Sequence, residues 1–272
     1  MTAPVPITST ANPRIKAAIA LRQRSERDAR GVTIVDGIRE LRRALDARAT
    51  FVEAFICPRL AVSTEAEVVI DALHDGGVPT TEVSDAVFTR LAFGERAEGV
   101  VGLVRVPPTG LDRLNLGANP LLVVLEAVEK PGNLGAVLRS ADGAGADAVV
   151  LTDLRTDPFN PNAIRASVGT VFSVPIAVAS GSDTRAWLTG AGIAIVAARV
   201  EAELSYPAVD LRGPTAIVLG AETSALDEAW AGPGVTSVRV PMHGVADSLN
   251  VSVTAAILLY EARRQRDEAD DR

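Results

Sequence analysis

The second half of the chain contains several strand-like runs that are apolar at nearly every position, separated by segments of helical character. A strand that presents apolar side chains on both faces needs cover on both sides, as in a parallel sheet packed between helices. The pattern begins at Leu121 and continues toward the end of the chain, so we predict an α/β domain over residues 121–272. The runs are LLVVLEAV, DAVVL, GTVFSVPIAV, GIAIVAARV, TAIVLGAE and TSVRVPM.

The first hundred residues follow a different pattern. Apolar positions at helical spacing in NPRIKAAIALRQRS and EAEVVIDALHDGG alternate with strand-like runs such as GVTIVD, ATFVEAFICP and GVVGLVRV. These elements predict a small α/β domain over residues 1–106. The next stretch, PPTGLDRLNLGANP, is rich in proline, glycine and asparagine and lacks periodicity, so residues 107–120 are predicted to be a linker.

The composition narrows the class of protein. Cys57 is the only cysteine, which excludes an internal disulfide and a cysteine-rich zinc site. No apolar run approaches the ~18 residues of a membrane span. The first residues, MTAPVPITSTANPRIK, lack the basic-then-apolar order of a secretion signal. We therefore expect a cytoplasmic protein without membrane contact.

Charge is distributed unevenly along the chain. The net charge of −7 argues against a protein that coats nucleic acid indiscriminately. Residues 1–43, however, contain nine Lys/Arg against four Asp/Glu, a local surplus of five positive charges. Charge alone leaves two interpretations open: solvated arginine-rich helices, or a face that follows a phosphate backbone.

The stretch EKPGNLGAVLRSADGAGADAVVLTD, residues 129–153, combines a glycine turn, a helical segment and a buried strand. One interpretation is a Rossmann dinucleotide-binding unit, in which Asp153, 20 residues after Asn133, binds the ribose. The turn reads GNLGAVLR rather than GxGxxG, and such a unit requires no arginine at Arg139. A nicotinamide-dependent oxidoreductase remains an alternative, which binding of a nicotinamide dinucleotide would support.

Two later segments, IVLGAETSALDEAW (217–230) and VRVPMHGVADSLNVSVTAAILLYE (238–261), each lead from a strand into a polar turn ahead of a helix. Together with KPGNLGAVLRSADGAGA they resemble the three signature motifs of the SpoU/TrmH family of RNA ribose 2′-O-methyltransferases. The SLNVSVTAA core of the third motif is the most specific. The resemblance covers nearly the whole chain, because ITSTANPRIK and VDGIREL are similar to that family's ribosomal-protein-like substrate-binding domain.

The resemblance implies a fold that periodicity alone does not predict. It implies a C-terminal trefoil knot in a mostly parallel sheet with helices on both faces, preceded by a small N-terminal α/β substrate-binding domain. It also implies S-adenosylmethionine as the cofactor, RNA as the substrate and a homodimer. Without such a resemblance, the expectation for any chain is an unknotted fold.

The motifs also imply site residues, position by position. The catalytic positions are Asn133, Arg139, Glu222, Ser248 and Asn250. The cofactor-binding positions are Leu219, Gly220, Val240, Met242, Ser248 and Leu249. The candidates for RNA contact are Arg14, Lys16, Arg22, Arg24, Arg39 and Arg165. No metal is expected, because the methyl group of a sulfonium cofactor is already activated.

Arg139 is the motif-one arginine, six residues after Asn133, which we expect to cap its helix. The protein must position the ribose hydroxyl and help to remove its proton. A guanidinium stays protonated, which favours a fork that grips an RNA phosphate over a general base, although both roles remain open. The alternative without catalysis is a helix arginine paired with Asp142 or Glu129.

A separate N-terminal recognition domain suits a large folded target, so we expect 23S ribosomal RNA rather than tRNA as the substrate. A tRNA methyltransferase and a non-catalytic RNA-binding protein of the same fold remain alternatives. Three positions depart from the family pattern: Lys130 replaces an acid, Ala225 a glycine and Asp36 a glutamate. Ala225 bears most on local geometry, because a turn that needs positive φ disfavours a side chain.

Overall fold

The computed structural model describes residues 5–93, 97–220 and 226–270. Contacts between Cα atoms divide the chain into two units. The first unit contains the chain up to Pro107 together with Asp157–Ser173, and the second contains Pro108–Thr156 and Val174–Arg272. None of the described helices is both long and apolar enough to cross a membrane.

Helices and strands alternate along the described chain. The helices are α1 (Pro13–Ala20), α2 (Arg24–Arg30), α3 (Ile38–Asp46), α4 (Thr64–Asp75), α5 (Asp85–Leu91), α6 (Pro131–Ala144), α7 (Pro161–Ala166), α8 (Gly181–Gly190) and α9 (Val251–Asp270). The strands are β1 (Val32–Asp36), β2 (Phe51–Ile56), β3 (Thr80–Glu82), β4 (Val100–Arg105), β5 (Leu121–Glu126), β6 (Ala148–Thr152), β7 (Ile176–Ala179), β8 (Ala194–Ala198), β9 (Thr215–Leu219) and β10 (Val235–Val238). Of the predicted run GTVFSVPIAV, only the last three residues lie in a strand, β7.

The sheet of the first unit has the order β1-β4-β2-β3, with β4 antiparallel to both of its neighbours and β3 parallel to β2. Its core includes Ile34, Phe55 and Phe88, all fully buried. Helix α3 approaches β4 closely at Gly102, where an added Cβ would lie 2.7 Å from the Leu41 side chain. The lack of a side chain at Gly102 therefore allows this helix to pack against the sheet.

Residues 157–173 pack with the first unit, although the sequence groups them with the second domain. Arg27, only 2% exposed, donates from Nε to Asp157 Oδ2 at 2.7 Å. The buried Thr33 hydroxyl donates to the Phe159 carbonyl at 2.7 Å. Sequence periodicity predicts which residues form helices and strands, but not which unit a segment such as 157–173 packs against. The domain limits 1–106 and 121–272 therefore remain a prediction.

The sheet of the second unit has the order β10-β8-β9-β5-β6-β7, and every neighbouring pair is parallel. This confirms the mostly parallel sheet predicted from the apolar runs. Strands β5 and β9 lie side by side, so the loops that follow them leave the same edge. The residue after β5, Ala127, has φ +50°, and the residue after β6, Asp153, has φ +49°. Positive φ at a non-glycine residue is strained, and such strain is common at functional edges.

The last helix, α9, is fixed to the opposite edge of this sheet by one buried arginine. Arg266 is 7% exposed, and burial lowers the pKa of its guanidinium. Its nitrogens donate to the carbonyl oxygens of Asn119, Pro120, Leu211 and Gly213. These carbonyls precede β5 and β9, so α9 holds the amino ends of both central strands together.

Candidate active site at the carboxyl edge of the parallel sheet

Each of the three sequence motifs follows the carboxyl end of a strand in the second unit. Motif one follows β5, motif two begins at the end of β9, and motif three follows β10 and leads into α9. Because all strands of this sheet are parallel, these loops leave from one edge. In open α/β sheets, that edge is where ligands bind.

The first motif forms the start of α6. The helix begins at Pro131, with Lys130 as its N-cap, so the expectation that Asn133 caps it is wrong. Proline suits the first helical position because its fixed φ is already helical and its missing N–H has no partner there in any case. Asn133 instead lies in the first turn, and Arg139 lies further along the same helix.

The first and third motifs meet through two asparagines. Asn250 donates from Nδ2 to Asn133 Oδ1 at 3.2 Å. The Oδ1 atom of Asn250 accepts from the Ser252 backbone N–H at 2.9 Å and so caps α9. A single side chain thus links the start of α9 to the first turn of α6, and both asparagines are predicted site residues.

The Arg139 side chain is exposed on α6. Glu129, one proposed partner, instead accepts a hydrogen bond from Arg155 at 2.6 Å. Among the described residues, the ion pair of Glu129 is with Arg155. Glu129 is therefore engaged by Arg155 rather than by Arg139, and the Arg139 side chain is open to solvent.

The predicted cofactor positions lie at the ends of β9 and β10. Leu219 is the buried last residue of β9, and Gly220 follows it at a point where an added Cβ would lie 3.2 Å from Leu226 Cγ. In the loop after β10 the side chains are half-buried at Val240, Met242 and Leu249, and Ser248 is exposed. A glycine at one strand end and partly accessible apolar side chains in the loop after β10 are the kinds of group that bind an adenosyl group. Two further positions of motif two, Glu222 and Ala225, lie outside the described residues.

The six arginine and lysine candidates for RNA contact differ in their surroundings. Three have partners of their own: Arg14 binds Glu53 and Thr81, Arg24 lies 3.5 Å from Asp28, and Arg22 donates to three carbonyls at the end of α5. Burial lowers the pKa of Arg22, which also stacks 5.3 Å from the centre of the Phe93 ring. The Lys16 side chain is exposed.

The remaining two candidates, Arg39 and Arg165, line one cavity of about 200 Å³ in the first unit. The same cavity is lined by Asp36, Glu40 and Glu98, and Arg165 lies 4.0 Å from the Asp36 carboxylate. Burial raises the pKa of Glu40, and repulsion from Glu98 adds to the effect. Segment 157–173 therefore places Arg165 near Arg39, two residues that are far apart in sequence.

Two residues that the sequence reasoning missed lie at the same edge of the parallel sheet as the motifs. Glu126, the last residue of β5, is a carboxylate only 5% exposed, and Arg199 directly follows β8. The available signal for Glu126 was an acid at the end of the apolar run LLVVLEAV. A buried carboxylate requires hydrogen-bond donors.

No group of histidine, cysteine and acidic side chains among the described residues is arranged to hold a metal ion. His74 contacts the Thr80 hydroxyl at 3.2 Å, and His243 is exposed. Cys57 is buried.

Both units match known families. Residues 120–260 match the SpoU rRNA Methylase family, and residues 12–102 match the MRM3-like substrate binding domain. These matches leave the Rossmann oxidoreductase without support.

Similar proteins have been described by structure and by sequence. A crystal structure of an RNA 2′-O ribose methyltransferase superposes with a TM-score of 0.84 at 42% identity, over 96% of this chain and 99% of that one. An AdoMet-bound rRNA methyltransferase from Sinorhizobium meliloti gives a TM-score of 0.86 at 30% identity, over 96% and 97% of the two chains. The 23S rRNA (guanosine-2′-O-)-methyltransferase RlmB of Vibrio vulnificus is 31% identical over 238 residues, 85% of this chain and 96% of that protein.

Proposed function

The chain belongs to the SpoU rRNA methylase family, as its three motifs predicted, and we propose that it methylates a ribose 2′-hydroxyl of 23S rRNA with S-adenosylmethionine as the methyl donor. The observation that carries this proposal is the contact between Asn250 and Asn133, which joins motif three to the helix that also carries the exposed Arg139. The names of the relatives support the substrate class, and the AdoMet-bound neighbour supports the cofactor.

The proposed cofactor site uses backbone and apolar contacts. The Gly220 backbone allows close approach of a ligand, and Val240, Met242 and Leu249 offer apolar surface to an adenine ring. When bound, S-adenosylmethionine supplies a methyl group on a positively charged sulfur, which the ribose oxygen takes as its own proton leaves. The residues of the chain therefore need to bind, orient and exclude water rather than provide a metal.

Arg139 is the proposed catalytic residue. Its planar guanidinium matches the geometry of a phosphate oxygen pair, so it can hold the backbone of the target nucleotide and orient the adjacent hydroxyl. The permanent charge also favours the oxyanion that develops as the hydroxyl loses its proton. For Asn133 and Asn250 the proposed role is to hold the ribose or to keep the loop that carries Ser248 in place, which their mutual hydrogen bond supports.

RNA recruitment is proposed for the first unit. Arg39 and Arg165 are the best candidates, because both line an open cavity and neither is used to cap a helix. Arg14, Lys16, Arg22 and Arg24, all exposed, are further candidates. The match to a substrate-binding domain supports this division of labour, and a domain dedicated to recognition favours rRNA over tRNA.

A homodimer with a trefoil knot is the proposed assembly. Val253 and Tyr260 are 46% and 52% exposed on α9, which gives this helix apolar surface for a second copy of the chain. An rRNA substrate favours a cytoplasmic location. Sedimentation equilibrium tests the dimer, and a monomer at micromolar concentration contradicts it.

The function is tested by incubating the protein with methyl-labelled S-adenosylmethionine and separate pools of unmodified 23S rRNA and tRNA. We expect label in the 23S pool, at a 2′-O-methyl nucleotide found by resistance to alkaline hydrolysis, and none with Arg139→Ala. Label in tRNA alone would favour the tRNA alternative. RNA binding without any label would favour a non-catalytic RNA-binding protein.

A further inference from the structure

The buried carboxylate of Glu126 binds one short segment of chain, residues 226–230. Its Oε2 atom accepts from the Asp227 backbone N–H at 2.9 Å, and its Oε1 atom accepts from Trp230 Nε1 at 2.8 Å. Both Glu126 and Trp230 are buried, so these bonds are shielded from water. Bonds to a charged acceptor are stronger than those between neutral groups, and shielding makes their loss more damaging.

Arg199 binds the same segment by donating hydrogen bonds to three of the segment's backbone carbonyl oxygens. Its NH2 group lies 3.2 Å from the Trp230 carbonyl oxygen and 3.3–3.4 Å from those of Leu226 and Asp227. The side chain of Arg199 is only 15% exposed. Donors of the segment therefore face a carboxylate and its acceptors face a guanidinium, an arrangement that we name the Glu126–Arg199 clamp.

The clamp connects the strand ends that carry the predicted cofactor residues. Glu126 ends β5, and the Arg199 backbone N–H donates to the Val238 carbonyl at the end of β10, two residues before Val240. Leu226, which the clamp holds, is in contact range of Gly220 after β9. A buried carboxylate and a mostly buried guanidinium thus connect the ends of β5, β8, β9 and β10.

We propose that Glu126 and Arg199 are positioning residues for S-adenosylmethionine: through segment 226–230 they hold Gly220 and Val240 at the separation that the cofactor requires. This inference rests on the proposed function. A preformed site binds its ligand more tightly because less ordering remains to be done on binding. Glu126 and Arg199 belong to the second unit and the proposed RNA contacts to the first, so the effect should be confined to the cofactor.

The test uses Glu126→Gln in the full-length protein, which retains side-chain volume but turns an NH2 group toward a donor. We expect the KM for S-adenosylmethionine to rise about tenfold, with kcat at saturating cofactor and the KM for RNA changed less than about threefold. Arg199→Lys, which cannot reach all three carbonyls at once, should shift the same constant in the same direction.

Arg185 supplies a matched control. This residue of α8 donates to the carbonyls of Ala229 and Pro233, so it binds the same region without reaching the strand ends. Arg185→Lys should leave the KM for S-adenosylmethionine unchanged. If it raises that constant as much as Glu126→Gln does, general loosening of the segment explains the effect and the proposal is overturned.

Fluorescence gives a readout independent of RNA. The chain has two tryptophans, so Trp187→Phe leaves Trp230, which bonds to Glu126, as the only emitter. Titration with S-adenosylmethionine should give a midpoint that Glu126→Gln raises about tenfold. If the parent binds no cofactor, the proposed function fails; if parent and variant bind it equally, only the clamp proposal fails. Should Glu126→Gln not fold, the same comparison with Arg199→Lys decides.

Discussion

Asn250 Nδ2 donates to Asn133 Oδ1 at 3.2 Å, across 117 residues of chain. The same Asn250 side chain caps α9 through the Ser252 backbone N–H. The fold of α9 and the geometry of the proposed active site are therefore coupled through one amide. The two roles can be separated by a substitution that preserves one of them.

Asn250→Ser should separate capping from the contact with Asn133. Serine caps helices about as well as asparagine but is too short to reach α6. We expect the melting temperature to change little and methyl transfer to fall about five- to tenfold, the equivalent of one lost hydrogen bond of about 1 kcal/mol. Asn250→Ala, which loses both interactions, should reduce activity and stability together. Full activity in the serine variant would show that the contact between the asparagines has no role in the reaction.

Arg139→Ala should lower kcat by about 10²–10³-fold, in the range seen when a preorganised donor is removed. Binding of S-adenosylmethionine should be retained, because Arg139 lies on α6 whereas the proposed cofactor residues lie at the ends of β9 and β10. Arg139→Lys keeps the charge without the fork and should recover only part of the rate. Arg155→Ala is the control, since that arginine is exposed and bonds to Glu129. Equal losses in Arg139→Ala and Arg155→Ala would remove the case for Arg139.

Arg39→Ala should weaken RNA binding and reduce the slope of log affinity against log salt by about one. Arg42→Ala is matched in charge and lies on the same helix, but its guanidinium bonds to Asp46 at 3.0 Å. We expect a smaller effect from Arg42→Ala in the same filter-binding assay. If both variants lose affinity equally, overall charge rather than the cavity around Arg39 attracts the RNA.

Arg266→Lys should destabilise the second unit by about 3 kcal/mol, because a buried fork that serves four carbonyls is replaced by a single ammonium. Urea unfolding followed by tryptophan emission measures the change, since both tryptophans lie in this unit. Arg264→Lys, at an exposed position on the same helix, should change stability by less than about 0.5 kcal/mol. If Arg266→Lys is as stable as the parent, water satisfies the four carbonyls that Arg266 contacts without lowering the free energy of unfolding.

Glu40 should make the first unit less stable as pH rises. Burial raises the pKa of its carboxyl above the unfolded value, so the folded state binds the proton more tightly. Below the unfolded pKa of about 4.3 the carboxyl is protonated in both states, so its burial costs no stability through ionisation. The free energy of unfolding then falls as pH rises through the folded pKa. Glu40→Gln should therefore be more stable than the parent at pH 8 and similar at pH 4. Thermal unfolding at the two pH values measures this difference, and a difference of opposite sign would contradict it.

The sequence predicted those features that depend only on residues close together in the chain. Continuous apolar runs predicted the strands of the parallel sheet, because a strand that is buried on both faces is apolar at nearly every position, whichever strands lie next to it. The cap of α9 is equally local, because Asn250 immediately precedes the helix. Motif resemblance supplied the order of the three loops, and parallel pairing then brings those loops to one edge.

The sequence was uninformative where a polar side chain finds a distant partner. Glu126 reads as the end of an apolar run, and only the pairing of β5 with β9 brings it to Trp230. The same applies to Arg22, which reads as a surface charge but donates to the carbonyls at the end of α5. These partners depend on strand order and helix placement, which no local pattern encodes.

The packing of residues 157–173 with the first unit has a consequence for biosynthesis. Until Asp157 has left the ribosome, Arg27 has no carboxylate to meet in the interior, and β1 lacks the cover of α7. The first unit therefore cannot finish folding when its own 107 residues have been translated, but must wait for part of the domain that follows. Translation through Ser173 sets the earliest moment of its completion, and a fragment cut at the linker would lack that segment permanently.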